Sequence, residues 1–167
     1  GHSVMAAFRR KARSLGVHYV HDEATGFSMR ADRVIGVETR RSGQIEGATF
    51  VNAAGPRAAI ISAWAHFPLP VLPEKRTVFC IRSAEPIADM PLVVDATGLY
   101  IRPDGDGFIV GGPVWKPDAD PDDFDADYEQ FQEFTWPALA HRIPVFEELK
   151  LMRAWAGQYE MSVFDHN

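Results

Sequence analysis

The sequence predicts an α+β fold, with a mostly antiparallel sheet and flanking helices. Turn signals recur at short intervals between β-rich runs, around Ala31-Asp32, Ser42-Gly43-Gln44 and Asp104-Gly105-Asp106-Gly107. No strand–helix–strand alternation runs along the chain, so nothing calls for a parallel sheet. Helical patterning is confined to residues 4–15, 56–64 and 124–134.

Ser3 is placed to cap the first helix, over 4–15. Val4, Phe8, Ala12 and Leu15 form its apolar stripe, and Arg9, Arg10, Lys11 and Arg13 fill the other faces, as a solvated surface or an anion contact. Gly16 stops it. Residues 17–20 read as a strand on which His18 and His21 point to opposite faces, which argues against a metal pair. Strands over 26–30, 33–40 and 44–52 complete a small antiparallel meander. Its last run, 48–51, ends in Asn52-Ala53-Ala54-Gly55, followed by Pro56 and the apolar run 57–65. That is strand, small-residue turn, helix. Such a turn lets a backbone approach a bulky ligand and leaves helix N–H groups for an anion, or serves close packing alone.

Pro68, Pro70 and Pro73 mark a crossing between lobes, and 67–73 is too proline-rich for a central strand. Strands follow at 75–83, 92–95, 98–103 and 107–112, with a hairpin turn at Asp104-Gly105-Asp106-Gly107. Cys80 reads as a small hydrophobe inside the first of these. Residues 116–127 are acidic. Asp118, Asp120, Asp122 and Glu129 match the spacing of a calcium loop, but Pro121 interrupts it and Asp123 stands where glycine is needed. The segment reads instead as an acidic start to the helix 124–134. A second short helix covers 136–142, Pro144 ends it, and 149–159 is a strand.

The net charge of −6 argues against sequence-independent nucleic-acid binding, and no run is long and apolar enough to span a bilayer. A single cysteine is consistent with the cytoplasm. Ser62 and Ser162 lack a nucleophile elbow, Cys80 lacks a base, and His141, Asp165 and His166 are too scattered for a metal site. No catalytic residue is assigned. Tyr100 and Arg102 lie two apart on a strand and share a face, which suits a small anionic substrate or a packed tyrosine beside a surface arginine.

The order of segments resembles the FAD-dependent oxidoreductases related to D-amino-acid oxidase, glycine oxidase, the sarcosine oxidase β subunit and dimethylglycine dehydrogenase. The matching residues are Leu15-Gly16-Val17, Ala24-Thr25-Gly26-Phe27, Val34-Ile35-Gly36-Val37, Phe50 to Pro56, Leu69 to Pro73, Leu99 to Pro103, Phe108 to Gly112 and Trp155 to Tyr159. The G-x-G-x-x-G turn that holds the FAD pyrophosphate in such families is absent from this sequence. The resemblance therefore implies a middle fragment of a longer flavoprotein. Residues 1–66 would be a partial FAD-binding region with its meander. Residues 67–154 would be the substrate-domain sheet, and 155–167 a return strand.

The function so implied is oxidation of the C–N bond of an amino acid or secondary amine, with a hydride passing to FAD. The isolated chain would be inactive and would bind FAD weakly or not at all. Its partners would be the amine or amino-acid substrate and the remainder of the flavoprotein. Ala24, Ala53, Ala54 and Gly55 would contact the adenosine or pyrophosphate side of FAD, Gly157 would lie by the flavin ring, and Tyr100, Arg102 and Tyr159 would face the substrate. Glycine-oxidase-like members carry a carboxylate-clamping arginine two residues after that glycine. Tyr159 stands there instead, leaving Arg102 and Arg153 as candidates to supply the charge. The alternative is a non-catalytic lobe used for binding or assembly.

Overall fold

The computed structural model describes residues 2–117 and 120–165. The chain divides into two compact units, Gly1–Val51 and Asn52–Asn167. This division differs from the boundaries expected from the sequence, at 66/67 and 154/155.

The first unit holds helix α1 (His2–Ser14) and a three-stranded sheet, β1 (Ala24–Arg30), β2 (Arg33–Thr39) and β3 (Gly43–Glu46), in order β1-β2-β3 with both pairings antiparallel. Helix α1 begins before Ser3, which lies in its first turn rather than at its cap. Residues 17–20 form no strand. Tyr19 there lies under the guanidinium groups of Arg9 and Arg13, 5.5 and 5.1 Å from its ring centre, so the run packs on the helix instead of a ladder. The strand expected over 44–52 stops at Glu46. Beyond it Phe50 packs on Phe27, ring centres 6.5 Å apart, and Val51 is 86% exposed. A run without a ladder partner cannot persist as a strand, whatever its side chains favour.

In the second unit a 3₁₀ turn (Gly55–Arg57) leads into α2 (Ala58–Ala63). A five-stranded sheet follows, made of β4 (Val71–Ser83), β5 (Val93–Val94), β6 (Tyr100–Asp104), β7 (Gly107–Gly111) and β8 (Leu149–Ser162). Its order is β5-β6-β7-β4-β8 and every pairing is antiparallel. Strand β4 starts at Val71, four residues before the expected Lys75, so Pro73 lies inside it. β7 pairs with β4 only from Val78 to Ile81, and Pro73 faces β8 alone. At that end β4 is an edge, where a missing N–H is tolerated. The β6–β7 hairpin turns on Gly105, whose φ of +63° suits glycine.

The helix expected over 124–134 begins later. Helix α3 (Tyr128–Gln130), a π-helical turn (Phe131–Thr135) and α4 (Trp136–Arg142) follow one another without a break and cover one face of the sheet. The core lies between them. Phe79 meets Phe131 at 5.0 Å, Phe108 meets Phe146 edge-on at 5.2 Å, and Ile81, Ile101, Val110 and Leu139 fill the rest. Each such side chain contributes about 1.5–3 kcal/mol of burial.

Lys75 is buried on this same face. Its Nζ donates to Asp123 Oδ2 at 2.7 Å and to the Asp125 carbonyl at 3.1 Å, and lies 2.9 Å from Asp127 Oδ2. Lys116 Nζ adds a bond to Asp127 at 3.0 Å, Thr77 Oγ1 accepts the Asp127 N–H, and Gln158 Nε2 donates to the carbonyls of Asp120 and Asp123. The acidic segment is thus strapped to the sheet by a buried ammonium. Asp118, part of the calcium-loop spacing, lies outside the described residues.

Burial acts to lower the Lys75 pKa, but its bonds to Asp123 and Asp127 outweigh this and raise it above 10.5. The bond from Lys75 holds Asp123 below 3.8. Burial works to raise Asp127, but the bonds from Lys75 and Lys116 prevail and hold it below 3.8 as well. The carboxylate contribution to stability is therefore present above pH 3.8 and lost as pH falls through the lower folded values. The lysine contribution is present below pH 10.5 and lost above it, as pH rises through the raised folded value. Lys75→Met should cost about 3 kcal/mol at neutral pH, because two carboxylates lose their buried partner. In thermal unfolding followed against pH, the gap between wild type and variant should close on acidification below pH 3.8. A gap constant through acid would show that the cost is packing alone.

Candidate functional site

Register fixes which side chains share a face, since directly opposed residues in an antiparallel pair point the same way. Lys75, Thr77, Phe79 and Ile81 oppose Gln158, Ala156, Ala154 and Leu151 on the helix-covered side. Glu74, Arg76, Val78 and Cys80 oppose Tyr159, Gly157, Trp155 and Arg153 on the other. That second face continues through Gly111 and Ile109 to Tyr100 and Arg102. The strand-period argument for Tyr100 and Arg102 thus places them correctly on one face.

The two then part. Tyr100 lies across Gly111 so closely that a Cβ there would sit 2.6 Å from the phenol oxygen and Cε1. Arg102 turns to its own hairpin, where Nη1 donates to the Pro103 carbonyl at 3.0 Å and to Asp104 Oδ1 at 3.2 Å. Arg153 donates from Nε to Cys80 Sγ at 3.3 Å, and its guanidinium sits 5.3 Å from the Trp155 ring centre. Neither arginine lines the cleft that contains Tyr100.

That cleft is walled by Arg76, Val78, Tyr100, Gly112, Tyr159 and Met161. Arg76 Nη1 donates to the Gly112 carbonyl at 3.3 Å, Nη2 pairs with Glu74, and the guanidinium carbon lies 6.0 Å from the Tyr159 ring centre. Burial pushes the Tyr100 hydroxyl pKa up and the nearby Tyr159 adds to this, against the smaller pull of Arg102 and Arg76. The phenol therefore stays protonated and able to donate at neutral pH. Across the ladder from Arg76, a Cβ built on Gly157 would meet nothing within 4 Å. The sequence did not single out Arg76. Only its register opposite Gly157 sets it apart from the other arginines.

The Asn52-Ala53-Ala54-Gly55 turn is tied by its own asparagine. Asn52 Oδ1 accepts the Ala54 N–H at 3.2 Å, and Nδ2 donates to the Ala58 carbonyl at 2.9 Å. One of the N–H groups expected to await an anion is therefore taken. Gly55 adopts φ +56°, and a Cβ there would approach Glu160 Oε2 to 3.8 Å. Ala24 lies exposed on β1 in the other unit. Among the described residues no cluster of three His, Cys, Asp or Glu side chains is arranged to hold a metal ion, and His166 lies outside them. No described helix is long and apolar enough to cross a membrane.

Among the described residues the sheet is clad by helices on one side, and its other side carries an aromatic and cationic cleft. The family model DAO, FAD dependent oxidoreductase, matches residues 1–167, and the chain belongs to that family. It is 32% identical to FAD-dependent oxidoreductase domain-containing protein 1 of Xenopus laevis, over 99% of this chain and 40% of that protein. It is 27% identical to sarcosine oxidase subunit beta of Rhizobium meliloti (strain 1021), over 96% of this chain and 38% of that protein. Among solved structures, L-proline dehydrogenase from P. horikoshii superposes with a TM-score of 0.79 at 26% identity, covering 96% of this chain and 43% of its own. The chain thus spans about two fifths of the length of the curated relatives it matches.

Gly111→Ala should displace the Tyr100 ring and cost roughly 1–3 kcal/mol in denaturant unfolding, the usual range for overpacking. Combined with Tyr100→Ala the penalty should be clearly less than additive, because the clash is with that ring. Full additivity in the double-mutant cycle would place the strain elsewhere.

Proposed function

We propose that this chain is part of an FAD-dependent oxidoreductase that oxidises the C–N bond of an amino acid or secondary amine on the open face of the five-stranded sheet. The observation that carries the proposal is the bare strip over Gly157, bordered by Arg76 and rimmed by Tyr159 and Trp155. It has room for a flat ring against the strand, and Ala53, Ala54 and Gly55 keep side-chain bulk off their turn. These residues fit FAD, with Ala53, Ala54, Gly55 and Gly157 on the cofactor side, and Ala24 is assigned to the cofactor by the family resemblance alone. When bound, FAD supplies the hydride acceptor. In this reading residues 1–66 and 155–167 serve the cofactor and 67–154 the substrate, and the remainder of the flavoprotein is a partner.

The chain's own contribution is orientation and exclusion of water. Tyr100, kept protonated by burial, donates a hydrogen bond to the substrate, and Tyr159 closes the cleft from β8. Arg102 shares the face and is engaged with Asp104. The relatives named for sarcosine and L-proline support a small amine substrate. The free Cys80 suits a reducing compartment such as the cytoplasm.

Mixing the full-length flavoprotein anaerobically with sarcosine, glycine or L-proline should bleach its flavin absorbance with at least one of them. Tyr100→Phe should raise the apparent KM by roughly two- to tenfold, the value of one neutral hydrogen bond, with flavin content unchanged. A protein that takes up FAD yet is reduced by no amine or amino acid would favour a binding or assembly lobe. The 167-residue chain alone should bind FAD weakly or not at all in a fluorescence titration, since its sequence has no G-x-G-x-x-G turn. Tight stoichiometric uptake would show that these residues carry the affinity.

A further inference from the structure

Among the described residues four arginines lie on the open face of the sheet, Arg76, Arg82, Arg102 and Arg153, and three are engaged away from the cleft, Arg82 with Asp106. Arg102 is turned to its hairpin, and Arg153 is bound to Cys80 and laid over Trp155. We infer that Arg76, held in place by Glu74, is the residue that selects a carboxylate-bearing substrate on this face. The inference rests on the amine-oxidation reading, and it assigns specificity to a pair of residues.

Arg76 is the arginine that walls the cleft with Tyr100 and Tyr159. It stands directly across the ladder from Gly157, which puts no side chain opposite it, while Glu74 and Tyr159 flank its guanidinium. Its contacts leave donors over. Nη1 bonds the Gly112 carbonyl and Nη2 bonds Glu74, while a guanidinium carries five N–H groups in a planar fork. Nε is buried without a partner among the described residues, so the group is under-satisfied as it stands. The fork matches a carboxylate, and the protonated phenol of Tyr100 on the same face offers one further donor.

Glu74 explains how a half-buried arginine is tolerated while no substrate is present. An unpaired charge in a cleft is costly, and a carboxylate two residues away on the same face of β4 supplies the counter-charge. The same pairing makes Glu74 an internal competitor. A substrate carboxylate must share the guanidinium with it, so Glu74 sets how strongly anionic substrates are preferred over neutral ones.

The test uses the full-length flavoprotein, with propionate and its neutral isostere propionamide as unreactive probes in isothermal titration calorimetry. Wild type should bind propionate more tightly than propionamide. Arg76→Gln should weaken propionate roughly ten- to a hundredfold, the range for a charge-assisted contact, and leave propionamide nearly unchanged. Glu74→Gln keeps the guanidinium, removes the competitor and should strengthen propionate several-fold, so the pair is tested even if Arg76→Gln folds poorly. Propionate no tighter than propionamide in wild type would overturn the inference. So would unchanged binding in folded Arg76→Gln, weaker binding in Glu74→Gln, or loss of the preference in Arg102→Ala alone. Reduction of the flavin by amines with no role for Arg76 would sink the inference and leave the amine-oxidation reading standing. Propionate binding that depends on Arg76, in a protein reduced by no amine, would do the reverse.

Discussion

All 13 residues of β4 pair with β8, and the register of that ladder decides nearly everything else in the second unit. Side chains alternate between two environments along it. Lys75, Thr77, Phe79 and Ile81 go under the helices, and Glu74, Arg76, Val78 and Cys80 go to the bare face. A slip by one residue would carry Arg76 into the core and Lys75 into the cleft. The apolar pull of Phe79 and Ile81 fixes the register at one end, and the Lys75 ion pairs fix it at the other. Between the Cys80–Arg153 and Ile81–Leu151 pairs the ladder shifts at a bulge, which lets β8 stay in step with a fully paired partner.

Two neighbouring residues thus serve opposite sides of one sheet. Lys75 binds the acidic segment through Asp123 and Asp127, and Arg76 reaches Gly112, Glu74 and Tyr159. The strap on the covered side and the cleft on the bare side share a backbone. The acidic segment that resembles a calcium loop by spacing is explained by this strap. Its carboxylates answer an ammonium from the core, and its backbone carbonyls answer Gln158.

Much of the architecture was legible because antiparallel sheets announce themselves through turns. Asp104-Gly105-Asp106-Gly107 and the long alternating run of β8 were readable from local chemistry alone. The misreadings came where local preference met a missing or one-sided partner. Residues 17–20 and 48–51 have strand composition but no ladder, and Pro73 sits in a strand because one side of it is unpaired there. Period-two reasoning put Tyr100 and Arg102 on one face. It said nothing of where a long side chain would turn, and Arg102 bends back to Asp104. Arg76 was invisible for a related reason: its distinction lies in the residue opposite, 81 positions later in the chain, and register across such a separation is not written in either strand.

Tyr100 and Gly111 face each other across adjacent strands with no room for even a methyl group between them. The two positions are therefore not free to drift independently over evolution. A relative with a side chain at the glycine position must carry something smaller than tyrosine at its partner, so the pair should covary among homologues. Where the glycine persists, the site opposite is free to keep an aromatic ring on the bare face. The identity of one small residue on β7 thus marks, in any related sequence, whether the β6 side of that cleft can carry a phenol.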